Sequence, residues 1–508
     1  MMIKNIKILL LATLLSVGCS DLEEEPVGIL APESFFKNLD DLQAAVNGSY
    51  AYMASEKYWG RKLTLSLLLR GDMADIGDLG TSARRQDVNN FEMADDNGMI
   101  TELWPQSYAI IGAANQAIDG ADRIDVNAEK KNAVVAQAYF SRAFAYYHLV
   151  RLFGDIPYID FAVSDASTVE DISKTPAAEV YENIITDLQF AKEWLPDTQP
   201  TRSQPTKATA TAYLASVYLT LGDYQKAYDE AKFVIDNKAK FNLKLEQDFQ
   251  NLFVPDNAAA LQEPLFTIDF IGQSRDGDLG QDYLAPLTGI RADETGRAEN
   301  GGWTVAVPTL NVYEDWSGRD YRKKVSLDTV AIFNGEEHDF TEFANFSDRG
   351  VNRPHIAKYY RFPGTSGSNG RESSHNFITM RYAEVLLIAA EALNEINGGA
   401  TEAIGYINEL RARARNRGGE MANFPEDVAA GISQDDLKDL IIRERRLELA
   451  FEFKRWYDIK RLKLGQEAFG PNGLEPHSNF DPNRDYLFPL PGDELSRNPN
   501  LQPNNPGY

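Results

Sequence analysis

The stretch Thr206–Asn237, TKATATAYLASVYLTLGDYQKAYDEAKFVIDN, decides the fold. Ala210, Leu214, Val217 and Leu221 recur at intervals of three and four, so one face of a helix is apolar. Gly222-Asp223 ends that helix with a residue that tolerates positive φ. Tyr224, Ala227, Tyr228, Ala231, Val234 and Ile235 then give a second apolar face, and the small residues let the two helices approach closely. Such a hairpin cannot bury both faces alone, so it predicts neighbours of the same kind.

Leu214, Ala215, Tyr218, Gly222, Tyr224 and Ala227 carry the spacing of a tetratricopeptide hairpin. Tyr382–Arg415 repeats it, with Ala389 and Ala403 where Ala215 and Ala227 stand and a longer turn at Asn397-Gly398-Gly399. Ala133–Phe153 and Ala177–Leu195 form a more widely spaced pair, the second helix bounded by Pro176 and Pro196. Leu39–Ala54, capped by Asn38 or Asp40, pairs with Ile100–Ile118. The expectation is a mainly α chain: about four helix pairs in a superhelix, long irregular loops at 56–99 and 237–380, and minor short strands. Within the loops, Lys62–Leu68 and Leu265–Phe270 read as strands, Thr309–Trp316 as a short helix and Gly364–Gly370 as a mobile loop. Asp435–Arg461 reads as one helix striped by Leu437, Leu440, Ile441, Leu447, Phe451 and Ile459, with Trp456 in its core. Lys454, Asp458 and Arg461 are spaced to pair on its surface. Beyond Pro471 the chain reads as extended and proline-rich.

The 508 residues carry a formal charge of −25, which disfavours nucleic acid or an anionic membrane surface as a direct ligand. Lys4 and Lys7, then the apolar run Ile8–Leu15, form a targeting segment too short to span a bilayer. Cys19, the single cysteine, follows it, and Ser20–Pro26 is an acidic stretch too polar to pack. The arrangement resembles the signal of a bacterial lipoprotein, in which Cys19 is acylated; Ser16 stands where such signals usually carry leucine. The boundaries read as 1–18 signal peptide, 19–31 tether and 32–508 a single domain.

Several stretches together resemble the SusD/RagB family of surface lipoproteins. They are RYAEVLLIAAEALNE at Arg381–Glu395, INELRARA at Ile407–Ala414 and IIRERRLELAFEFKRWYDIKR at Ile441–Arg461. YLFPLPGDEL at Tyr486–Leu495 and the closing NPNLQPNNPGY match as well, as do LWPQSYAIIGAANQAI at Leu103–Ile118 and GDIPYI after Phe153. The resemblance implies a nutrient-binding protein, usually for glycans, anchored by lipid on the cell surface. It implies a helical superhelix facing a TonB-dependent outer-membrane transporter of SusC type, with ligand held by the loops on the other side. It implies capture and delivery without catalysis.

A sugar site needs an aromatic plane beside hydrogen-bonding side chains. Tyr58, Trp59, Phe91, Tyr283 and Trp303 supply planes in the irregular regions; Asp72, Asn89, Arg291 and Asn300 are near them in sequence. The candidate ligand residues are therefore Tyr58, Trp59, Asp72, Phe91, Tyr283, Arg291 and Trp303, with Trp59 and Trp303 foremost because each lies next to glycine. Trp104, Tyr108 and Asn115 have core spacing, and Arg443, Glu444, Arg445, Arg446 and Glu448 read as a salt-bridge network. No cofactor is expected, although Asp276, Asp278 and Asp282 offer oxygen ligands for a structural Ca²⁺. H-E-x-x-H, G-x-S-x-G and the phosphate-loop motif do not occur. Two rival functions stay open: a glycoside hydrolase with a carboxylate pair, and a helical scaffold that binds only protein.

Overall fold

Four helical hairpins, joined end to end, form the frame of the protein. The computed structural model describes residues 35–272, 279–295, 301–364 and 372–508. The principal helices are α1 (Leu39–Met53), α2 (Lys62–Leu69), α3 (Ile100–Ala121), α4 (Ala128–Phe153), α5 (Ala177–Trp194) and α6 (Lys207–Leu221). They continue with α7 (Tyr224–Asp236), α8 (Tyr382–Ile396), α9 (Thr401–Ala414), α10 (Gln434–Glu448) and α11 (Arg455–Leu462). The pairs α1/α3, α4/α5, α6/α7 and α8/α9 all pack, and α3 on α4, α5 on α6 and α7 on α8 link each pair to the next.

Local chemistry sets the helix ends. Thr206 and Thr209 form a reciprocal capping box at the start of α6. Gly222 closes α6 at φ +75°, and the Asp223 side chain accepts from the Lys226 N–H to open α7. Asn38 caps α1, its side chain accepting from the Asp40 and Asp41 N–H groups. Ala208, Ala210, Ala212, Ala215, Ala227 and Ala231 are buried in the α6/α7 hairpin, where larger side chains would hold the helices apart.

Strands β1 (Ala74–Ile76), β2 (Pro264–Ile268), β3 (Ala306–Pro308) and β4 (Phe377–Arg381) form two antiparallel pairs, β1 with β3 and β2 with β4. The β2–β4 pair places Ile268 opposite Phe377 and so brings together the two ends of the excursion between them. It is seated on α6: the Thr209 hydroxyl donates to the Leu265 carbonyl at 2.7 Å, and the Tyr213 and Thr379 hydroxyls meet at 3.0 Å.

Two expectations need correction. Lys62–Leu68 is part of helix α2, not a strand, and every residue of α2 is buried. A helix covered on all sides carries no amphipathic period, so its run of leucines reads equally as a buried strand. Asp435–Arg461 is two helices, broken at Leu449–Lys454, where Phe451 and Phe453 have φ of +62° and +64°. Left-handed backbone disfavours such side chains, but burial of both rings offsets the strain. Phe453 stacks on Tyr359 at 5.7 Å, and the Tyr359 hydroxyl donates to the Phe451 carbonyl at 2.8 Å. Lys454 consequently meets Glu384 at 2.9 Å rather than Asp458, and the Asp458–Arg461 pair, at 2.8 Å, is buried rather than on a surface. The segment beyond Pro471 includes a short helix, Gly492–Arg497. Cys19 and its surroundings, Asp276, Asp278, Asn300 and most of Gly364–Gly370 lie outside the described residues.

The charged run on α10 is a network, buried at Glu444, Arg445 and Glu448 and exposed at Arg443, whose guanidinium lies 3.8 Å from Asp315. Glu448 accepts from Arg381 at 2.6 Å and Arg322 at 3.1 Å, and also from Arg413. Glu444 pairs with Arg322 at 2.6 Å and Arg411 at 2.9 Å; Glu452 pairs with Lys358 at 2.7 Å and Arg381 at 2.8 Å. Arg445 joins Asp458 at 3.2 Å, and Arg446 joins Asp315 at 2.6 Å.

Burial pushes the Glu448 and Asp458 carboxyls up, but the surrounding guanidiniums outweigh it. Glu448 is held well below the usual range by Arg413, Arg381 and Arg322, and Asp458 at about 2 by Arg445 and Arg461. A carboxylate depressed on folding contributes stability that is full above its unfolded value, about 4, and lost as pH falls through the folded one. The protein should therefore hold its urea stability down to about pH 4 and lose it progressively below. Glu448→Ala, which strands three guanidiniums, should cost about 3–5 kcal/mol of stability at neutral pH in the same assay.

Candidate functional site

Four of the seven candidate ligand residues are closed to ligand. Trp59 is buried among Phe144, His148 and Phe453, with centroid distances of 5.8, 5.4 and 5.8 Å. It faces an internal cavity of about 30 Å³, space for a single water. Gly60 marks a close approach of chain segments, not an open flank: a Cβ there would lie 2.0 Å from the Gln281 carbonyl oxygen. Tyr58 is fully buried and meets His148 edge-on at 6.3 Å. Phe91 is buried by Phe469, Phe480 and His477, with the Arg70 guanidinium 4.3 Å above its ring. Asp72 is buried in a bidentate pair with Arg455 at 2.6 and 2.8 Å, and Asn89 donates to Asp75 at 2.9 Å. Trp104 is buried too; the Tyr108 hydroxyl donates to Pro157 at 2.8 Å and the Asn115 amide to Ile159 at 2.9 Å.

The other three candidates, Tyr283, Arg291 and Trp303, converge. The β1–β3 pairing sets Ile76 opposite Ala306, and the chain beyond β1 continues it. The Gly77 N–H donates to Val305 at 3.0 Å and the Asp78 N–H to Thr304 at 2.7 Å. Gly77 has no room for a side chain, since its Cβ would lie 2.3 Å from the Thr304 oxygen. Asp78 and Trp303 therefore arrive at one edge from opposite strands. Trp303 is held by its N–H to the Pro286 carbonyl at 2.6 Å and by the Tyr283 ring at 6.0 Å, and its indole stays half-buried. The Arg61 guanidinium covers Tyr283 at 4.5 Å.

Asp78, 2% exposed, is the hub. It accepts from Arg291 at 2.9 Å and from the Arg349 Nε at 2.8 Å, and one oxygen also takes the Gly80 N–H at 2.9 Å. Arg291 donates to the Trp303 carbonyl at 2.6 Å as well, which ties the guanidinium to the tryptophan backbone. A turn, Thr81 N–H to Asp78 carbonyl at 2.9 Å, leads into the short helix Ala83–Asn89. Arg85 on that helix donates to the Thr81 hydroxyl at 2.9 Å. These groups line an open cavity of about 320 Å³: Asp78, Thr81, Arg85, Arg291, Trp303 and Arg349. A larger cavity, about 490 Å³ between residues 198–202, 254–262 and β2/β4, has no Phe, Tyr or Trp among the described residues that line it.

Asp282, proposed with Asp276 and Asp278 for Ca²⁺, is buried and accepts from the Ser373 hydroxyl and from the Leu284 N–H at 2.8 Å. Burial pushes its carboxyl up to about 7. No three His, Cys, Asp or Glu among the described residues are grouped to hold a metal ion.

Residues 344–508 match the family model described as the SusD family, and residues 33–219 one described as starch-binding associating with outer membrane. SusD-like protein P2 of Formosa agariphila is 66% identical over 507 residues, covering 99% of this chain and 100% of that one. The chain belongs to the SusD family. Solved SusD structures share its fold. A SusD homolog from Bacteroides thetaiotaomicron aligns with a TM-score of 0.81 at 19% identity, over 94% of this chain and 98% of that one. A laminarin binding SusD-like protein aligns at 0.75 with 22% identity, over 93% of this chain and 100% of that one.

Sequence reasoning missed Asp78, Arg85 and Arg349 in this SusD-family chain. Thr81–Asn90 read only as a polar run. Its two adjacent arginines, Arg84 and Arg85, were the available signal. Nothing local marks Arg349, which reaches Asp78 from a distant segment. The two tryptophans should separate cleanly by urea denaturation. Trp59→Ala should cost about 3–5 kcal/mol as a core truncation, whereas Trp303→Ala should leave the unfolding midpoint nearly unchanged.

Proposed function

We propose that this protein is a cell-surface glycan-binding lipoprotein that captures oligosaccharide at the Trp303 cavity and passes it, chemically unchanged, to a TonB-dependent outer-membrane transporter. The observation that carries this reading is the cavity itself. It joins a half-covered indole to fixed guanidiniums, a carboxylate and hydroxyls on a rigid edge. Sugar C–H faces stack on such a plane while the polar groups set orientation. The laminarin-binding relative of the same fold adds support.

Capture without hydrolysis is favoured by the lining. Glycoside hydrolysis takes two carboxyl groups about 5–9.5 Å apart across the bond. Among the described residues, the cavity lining offers one carboxylate, Asp78, already shared by two guanidiniums. A pure protein scaffold, in turn, gives no reason for a half-buried tryptophan to line a cavity beside three arginines.

The anchor is proposed at Cys19, on the sequence signal and the family's association with the outer membrane. No helix among the described residues is long and apolar enough to cross a membrane. One myristoyl-sized chain gives only marginal attachment, so more than one acyl chain is expected.

Trp303→Ala should lower affinity for the cognate glycan by about 5- to 150-fold, equivalent to roughly 1–3 kcal/mol, in calorimetry or affinity gels. Unchanged binding would move the site elsewhere. Cys19→Ala should shift the protein from the membrane to the soluble fraction. The wild type, extracted in mild detergent, should co-purify with the transporter; persistent recovery of the two apart counts against hand-over.

A further inference from the structure

We propose that the glycan taken at the Trp303 cavity is anionic, bearing carboxylate or sulfate-ester groups that Arg85 and its neighbouring arginines recognise. The inference rests on the reading of this cavity as a glycan site.

Charge matching elsewhere in the molecule gives the contrast. Most buried arginines are met by carboxylates: Arg322 by Asp320, Glu444 and Glu448; Arg381 by Glu263, Glu448 and Glu452; Arg461 by Glu391 and Asp458, whereas Arg151 lies between the Tyr147 and Tyr457 rings. In a chain of formal charge −25, that is the expected disposition of cations. The Trp303 cavity departs from it. Arg85, Arg291 and Arg349 all line it, and among the described residues the one carboxylate in the lining is Asp78. Asp78 is committed to Arg291 and Arg349. Arg85 is left with the Thr81 hydroxyl, and its buried Nε has no hydrogen-bond partner among the described residues. The buried Nε of Arg291 is in the same position.

The neighbouring cations do not relieve this. Arg84 is paired with Glu102 at 3.1 Å, and Arg61 with Glu56. Burial first, then the charges of Arg61 and Arg84, bring the Arg85 guanidinium down to about 10 against a partial offset from Asp78, so it is still charged at neutral pH, with no ion pair of its own among the described residues.

Donor chemistry points the same way. A neutral sugar hydroxyl both donates and accepts, and is served by amides and carboxylates as well as by arginine. Guanidiniums only donate, and in planar forks that match the oxygens of carboxylate, sulfate or phosphate. Here the available fork is Arg85, and Arg349, 48% exposed, stands at the open side with its position fixed by Asp78. The arrangement therefore supplies an excess of fixed donors to a ligand rich in acceptor oxygens, beside an indole for the sugar ring.

The test is affinity electrophoresis of the purified protein through polysaccharides set out as charged and discharged pairs. These are polygalacturonate with its methyl ester and iota-carrageenan with its desulfated form, alongside neutral laminarin. Retardation by a charged polymer, lost in its discharged partner and weakened at least tenfold by Arg85→Gln, is expected. Which pair responds tells carboxylate from sulfate recognition. Arg349→Gln serves as a second variant, and an unchanged melting temperature shows that either variant remains folded. Retardation by neutral polymers as strong as by charged ones, or folded arginine variants that bind like wild type, overturns the anionic assignment and leaves the glycan site standing. No retardation by any polymer counts against the glycan site and the anionic assignment together.

Discussion

Glu448 sits where the helical frame and the irregular excursion meet, and the rest of the structure depends on that meeting. Its carboxylate receives Arg413 from α9, Arg381 from the start of α8 and Arg322 from within the excursion. Glu452 extends the contact to Lys358, and Glu263 joins Arg381 to Arg413 at 2.7 and 3.1 Å. Removing buried charges from water is expensive, and here each is returned several partners. Apolar packing alone would let the excursion settle in many ways. A set of guanidinium–carboxylate forks, each with fixed direction, selects one.

The site inherits that fixity. The excursion delivers Arg291, Trp303 and Arg349, and the segment after α2 delivers Asp78 and Arg85. Strands β1 and β3 join the two deliveries in register. Asp78 then locks guanidiniums from both sides of the excursion into one cavity. Among the described residues, none of the cavity's side chains comes from the four hairpins, so the hairpins contribute support rather than contact.

How much of this was legible follows from which forces act locally. The hairpins could be read because apolar period and caps lie in adjacent residues: Leu214, Val217, Gly222, Ala227. The charged run on α10 could be read as a network because its composition has no other use on a packed helix. Helix α2 was misread because total burial erases period. The α10–α11 break was missed because Phe451 and Phe453 are held in left-handed backbone by partners distant in sequence, notably Tyr359. At the site, Trp303 and Trp59 share the same local signature, an indole beside glycine. What distinguishes them is the chain lying against each: Gln281 closes over Gly60, while Trp303 stays half-buried and lines the open cavity. Arg349 and Asp78 lie far apart in the chain, and tertiary structure, not spacing, unites them.

The β2–β4 pair has a consequence for how such a chain can vary. Because Ile268 and Phe377 are already opposite one another, everything from Asp269 to Asn376 begins and ends at the same place on the frame. The entropy of closing a loop grows only logarithmically, about 0.6 kcal/mol for each doubling of length. Such a neck isolates the frame from length changes in what it holds. Insertions and deletions between these points, away from the ion-paired anchors at Arg322 and Lys358, are borne by the excursion alone. The neck thus behaves as a socket, into which recognition surfaces of different size can be fitted without redrawing the helices beneath.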